Sequence, residues 1–141
     1  MLVQAKKDLQ DYGPITRIIK GGLYIVYAIE IEGEKTNLFV LPAKYEVEEG
    51  RQPDPLFFPA DIFDIVEDRV SGTWNTASVT ISDESKVYRS FPEWFENNFY
   101  RRGHDWDFED DDYVIMKRYI LEYEHIYSDL LSHAKTVEVN N

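Results

Sequence analysis

The sequence predicts an α+β fold: an antiparallel sheet, a meander of about five to six strands, packed against two C-terminal helices of which the last is long. Three observations carry this expectation. Period-two alternation is clearest from Leu23 to Glu32, where Leu23, Ile25, Tyr27, Ile29 and Ile31 would share one face and Tyr24, Val26, Ala28, Glu30 and Glu32 the other. Tight-turn pairs, Gly21-Gly22 and Gly33-Glu34, bracket that run. Finally, Tyr113, Met116, Ile120, Tyr123, Tyr127, Leu130 and Ala134 recur at spacings of three and four, the period of one helix face.

Taken in order, Met1 to Gly13 carries weak signals and is left unassigned. Ile15 to Lys20 is a short β-type run that the double glycine can turn into the Leu23–Glu32 strand. Thr36 to Leu41 returns as the next strand, ended by Pro42, which has no N–H for a ladder. Ala43 to Pro59 is acidic and proline-containing and reads as a long loop, with Leu56-Phe57-Phe58 folding back on the core. Ile62 to Val70 mixes apolar and acidic residues without a clear period. After a Ser71-Gly72 turn, Thr73 to Ile81 favours a strand, and Asp83-Glu84-Ser85 turns it into Lys86 to Arg89.

Ser90-Phe91-Pro92-Glu93 has the form of a capping box, with Ser90 as N-cap and Glu93 three residues on. The short helix it opens would bury Trp94, Phe95 and Phe99 and stop at Gly103 after Arg101-Arg102. The long helix follows after His104 to Trp106, in a stretch that runs from an acidic lead-in at Asp105 to Ala134. Asp107 would be its N-cap, with Glu109, Asp110, Asp111 and Asp112 in the first turn, where free N–H groups favour carboxylates. The whole chain, 1–141, reads as one α+β domain in which 135–141 is a flexible tail or an edge strand.

Composition narrows the function. Hydrophobic residues make up 43% of the chain, enough for a packed core, and the absence of cysteine removes disulfide and thiolate chemistry. Met1 to Asp11 has no apolar core of a signal peptide, and no stretch approaches the roughly 20 apolar residues of a spanning helix, so a cytoplasmic protein without membrane contact is expected. A formal charge of −12 repels phosphates and attracts basic proteins, so direct nucleic-acid binding is not expected.

Motifs for catalysis are missing. Asp105, Asp107 and Glu109 start with the alternate spacing of an EF-hand loop, but Asp110 stands where that loop needs glycine and Met116 where it needs a bidentate glutamate. Glu122 and His125 form half of a carboxylate-bridged di-metal pattern whose other half is absent, so they read as a polar helix face with Arg118, Asp129 and His133. His104 beside Asp105 is a surface pair in sequence. The aromatics Trp94, Phe95, Phe99 and Tyr100 read as a core-facing helix rather than a base-stacking platform. No enzyme activity, no cofactor and no metal are expected.

What remains is an acidic, aromatic-rich module. In general character it resembles the bacterial immunity proteins that neutralise a cognate nuclease or other toxin, which implies a basic protein partner and no catalysis. The expected partner-binding residues are Asp105, Trp106, Asp107, Glu109, Asp110 and Asp111, where carboxylates steer the encounter and an aromatic anchors it. Two other classes fit the composition: a decoy that mimics nucleic acid, and a small-molecule-binding or enzymatic domain with a pocket between sheet and long helix lined by Tyr24, Tyr27 and Tyr123.

Overall fold

The run Leu23–Glu32, with the best alternation in the sequence, forms the central strand, and its residues from Tyr24 to Glu30 are all buried. The computed structural model describes residues 1–9, 18–42, 56–97, 99 and 110–132. Over these residues the chain is α+β, a mostly antiparallel multi-stranded sheet followed by helices towards the C-terminus, as the sequence predicts. The strands are β1 (Leu2–Ala5), β2 (Leu23–Glu32), β3 (Lys35–Pro42), β4 (Leu56–Pro59), β5 (Phe63–Glu67), β6 (Asn75–Ile81) and β7 (Glu84–Ser90).

The sheet is forked rather than a simple meander. β3 pairs along β2 after a turn in which Gly33 takes φ +59. On its other edge, β2 gives Leu23–Ile25 to β1 and Ala28–Ile31 to β7. One arm continues through β1 to β5, the other through β7 to β6, and β4 closes the far edge beside β3. This count of seven exceeds the five to six expected, because three short strands had weak or no alternation.

Chain connectivity forces the longer arm to curl. In the order β4-β3-β2-β1-β5, the two edge strands would lie about 19 Å apart in a flat sheet, at about 4.8 Å per step. Yet β4 and β5 are joined only by the 3₁₀ turn Ala60–Ile62, which covers about 6 Å. The sheet therefore bends towards a small, sheared barrel. Tyr24 on β2 meets Phe63 on β5 edge-on at 5.9 Å with β1 between their strands, which marks the concave side.

The convex side carries the helices. Between Val26 and Ala28 the β2–β3 register shifts by one, leaving Tyr27 as an extra residue. Tyr27 stacks on Tyr123 of the second helix, while the strand partner of Ala28, Phe39, packs edge-on against Trp94 of the first. Two successive residues thus address the helices, which corrects the unbroken alternation read from the sequence: Ile29 and Ile31 leave the face of Tyr27. β2 is buried on both sides because β5 covers one face through Phe63 and the helices cover the other.

Helix α1 (Pro92–Glu96) seats Trp94, fully buried, among the rings of Phe39, Phe57, Phe91 and Phe99. Helix α2 spans Asp110–Ile126, and helical turns continue through 128–132. Its buried stripe is Met116, Ile120, Tyr123, Tyr127 and Leu131, on the period expected.

Local expectations fail in four places. Ile18 forms an isolated bridge with Leu9, and β2 takes β1 as its neighbour in place of the Ile15–Lys20 strand, whose residues 15–17 lie outside the described residues. Leu56–Pro59 is a strand, not part of the loop, since Phe58 is buried and its register continues β3. The β6–β7 turn is Ser82-Asp83, both at positive φ, so β7 starts at Glu84. Ser90 does not cap α1: it ends β7, its Oγ donates to the Tyr27 carbonyl at 2.5 Å, and Phe91 takes the N-cap position without a side-chain cap. The Gly103 stop, the Asp107 cap and the 135–141 tail lie outside the described residues.

Candidate functional site

Of the residues expected to bind a partner, Asp105, Trp106, Asp107 and Glu109 lie outside the described residues. Asp110 and Asp111 open α2, so their backbone occupies the first helical turn, where negative charge is favoured.

Four cations of the described surface, Arg69, Arg118, Lys86 and Lys6, form pairs that brace the fold. Arg69, between β5 and the 3₁₀ turn Ser71–Thr73, donates from Nε to Glu67, from Nη1 to the Ile126 carbonyl at 3.0 Å, and pairs with Asp129 at 3.6 Å. It also lies over the Tyr127 ring at 5.5 Å, so one side chain ties the end of α2 to the sheet. Arg118 on α2 donates to Glu93 on α1 at 2.8 Å, and the Tyr119 hydroxyl donates to the other Glu93 oxygen. These bonds hold the Glu93 carboxyl below the usual range, the Tyr119 bond contributing most. Lys86 faces both Glu30 and Glu32, and Lys6 pairs with Asp64. Carboxylates at Glu34, Asp61, Asp83, Glu84, Glu96 and Glu122 are exposed.

Buried polar groups serve packing. Trp74 Nε1 donates to the Tyr123 hydroxyl at 2.9 Å beneath the Tyr27 ring stack. Glu30 accepts from the Tyr88 hydroxyl at 2.9 Å and from Asn37 Nδ2 at 3.1 Å. Tyr24 instead faces the concave side and accepts from the Ile19 N–H, so the three tyrosines suggested as a pocket lining do not share one surface. On α2, Arg118 and Asp129 are engaged with Glu93 and Arg69, Glu122 and His125 are exposed, and His133 lies outside the described residues, as do His104, Tyr100, Arg101 and Arg102. Among the described residues no group of three or more His, Asp or Glu side chains is placed to hold a metal, and no helix is long and apolar enough to cross a membrane.

Sequence reasoning missed a second surface feature, the β5 edge. Ile65 is 64% exposed and Val66 43%, although both are aliphatic and successive, and successive strand residues point to opposite faces. The sequence signal was the unresolved period of Ile62 to Val70, an apolar run interrupted by Asp64 and Glu67. No family model matches the chain, and no curated protein or solved structure is significantly similar to it.

Proposed function

We propose that the chain is a non-catalytic acidic protein-binding module, an immunity or inhibitor protein that neutralises a basic toxin or nuclease. The observation that supports it most is the way charge is distributed. The net charge is −12, and the carboxylates of Glu34, Asp61, Asp83, Glu84, Glu96 and Glu122 are exposed to set up a negative field. A basic partner would be steered by this field and then held by buried aromatics and charge pairs.

In this reading the chain acts as one domain in the cytoplasm. The two C-terminal helices, the last one long, are taken as the binding side of the chain, with Asp105, Trp106, Asp107, Glu109, Asp110 and Asp111 as its contact residues. Affinity purification of the tagged protein at low and moderate salt, with mass spectrometry of what co-elutes, tests it. A stoichiometric basic protein that is lost as salt rises is the expected result, and replacing the six-residue stretch's carboxylates by amides slows its association and flattens its salt dependence. No basic protein at either salt removes the reading, and competition by DNA for the captured protein turns it into a nucleic-acid decoy.

A further inference from the structure

The C-terminal helix is broken where its own sequence gives no reason for a break. α2 ends at Ile126, Tyr127 is a turn, and 128–132 are helical again. Sharp bends in helices come from proline, from glycine–serine pairs, from an extra residue in one turn, or from a group inserted into the hydrogen-bond ladder. Glu124 to Leu130 contains neither proline nor glycine, and none of these residues takes a positive φ. The apolar spacing also runs through the break, with Tyr123, Tyr127 and Leu130 at intervals that a continuous helix would keep on one face.

The hydrogen bonds show what stands in the ladder. In an unbroken α-helix the Ile126 carbonyl accepts from the Leu130 N–H. Here it accepts from Arg69 Nη1 at 3.0 Å. The Leu130 N–H donates instead to the Tyr127 carbonyl at 3.1 Å, an oxygen that also accepts from the Leu131 N–H at 2.9 Å. The Leu130 bond is thereby tightened by one residue to the 3₁₀ pattern. The guanidinium is held in place by Glu67 on β5, by Asp129 at 3.6 Å beyond the break, and by the Tyr127 ring at 5.5 Å. Ser132 Oγ donates to the Ser128 carbonyl at 2.7 Å, one turn further on, and leaves the Ile126 carbonyl untouched.

We infer that Arg69 is the pin of a two-state joint in this helix. With the guanidinium on the Ile126 carbonyl the chain turns at Tyr127; with it withdrawn, the Leu130 N–H competes for that carbonyl and 110–132 can run on as one helix. Passage between the two arrangements breaks the Leu130 bond to the Tyr127 carbonyl, so an unpinned joint also exchanges its amides faster. The joint lies at the opposite end of α2 from Asp110 and Asp111, about 25 Å away over 17 residues, and does not depend on the basic-partner reading.

The test is nuclear magnetic resonance of the whole protein, reading the coupling across hydrogen bonds from the Leu130 amide in the native chain and in Arg69→Met and Asp129→Asn variants. In the native chain that amide is expected to couple to the Tyr127 carbonyl. Arg69→Met should add coupling to the Ile126 carbonyl and raise Leu130 exchange by about tenfold, the loss of one held bond. Asp129→Asn, which keeps the Arg69 bond to Ile126, should leave the native pattern. Coupling to Tyr127 alone in Arg69→Met overturns the pin and assigns the break to packing. Release of the joint by Asp129→Asn overturns it as well, since the ion pair and not the carbonyl bond would then hold the bend. Should Arg69→Met loosen the whole fold, seen as faster exchange in β2, Arg69→Lys decides: it keeps a cation beside Glu67 but lacks the fork that spans Glu67, the Ile126 carbonyl and Asp129 together. A native coupling pattern in that folded variant overturns the proposal.

Discussion

Trp74 and Tyr123, 49 residues apart in sequence, meet at 2.9 Å through an indole N–H and a phenolic oxygen that are both sealed from solvent. Tyr123→Phe keeps the ring that stacks on Tyr27 but leaves the indole N–H without its acceptor. The expected loss is about 1–3 kcal/mol in urea unfolding, with a shift in tryptophan emission. Tyr123→Ala also removes the ring and is expected to lose about 3–5 kcal/mol.

Buried phenols make the fold sensitive to alkali. Burial raises Tyr27, Tyr88, Tyr119 and Tyr127 above the ordinary tyrosine value and pushes Tyr123 up to about 12. In the unfolded chain these groups ionise at about pH 10. Their contribution is complete below that pH and is lost as pH rises from about 10 towards the folded values, because the unfolded state then releases protons that the fold retains. Circular dichroism and tyrosinate absorbance recorded together should show these five phenols ionising in the same step as the loss of the fold. Of the ten tyrosines these five should ionise only with the loss of the fold, and tyrosinate absorbance accounting for more than the other five before the fold is lost would sink the idea.

Two glutamates set opposite trends in acid. Glu93 is lowered by the Tyr119 hydroxyl and then by Arg118, so its contribution is present above the unfolded value, about 4.3, and is lost as pH falls through the folded one. Glu124 is raised by burial, so its charged form opposes the fold until acid neutralises it. Glu93→Gln should flatten the decline of stability below pH about 4, and Glu124→Gln should stabilise the protein at neutral pH. Urea midpoints measured across acidic pH check both signs.

Arg69 acts on a local unit. Arg69→Ala frees the Ile126 carbonyl and Asp129 and uncovers the Tyr127 ring. Amide exchange in 127–132 should accelerate while that of β2 stays unchanged. Equal acceleration in both would show that the arginine supports the whole fold rather than the helix end.

The elements legible in the sequence are those whose partners are adjacent. β2 and β3 share a hairpin with a glycine at positive φ, so alternation and turn chemistry agree. β1 and β5 pair with each other across the chain, and neither four nor five residues establish a period. β4 hides in a proline-rich stretch, and Ser90 satisfied the spacing of a cap but found a carbonyl of β2 closer to hand. For the candidate site, composition flagged Asp105 to Asp111, whereas the β5 edge depends on which strand lies beside it, a property no local pattern encodes.

The β1–β5 pairing also orders events in time. Leu2 must wait for Glu67, and β2 must wait for both β1 and β7 before its second edge is complete. The β2–β3 hairpin can form from neighbours alone, but its fork cannot close until most of the chain has been made. Assembly is therefore governed by loop closure over long separations, which slows the search for the native state and keeps partly made sheets exposed for as long as it lasts.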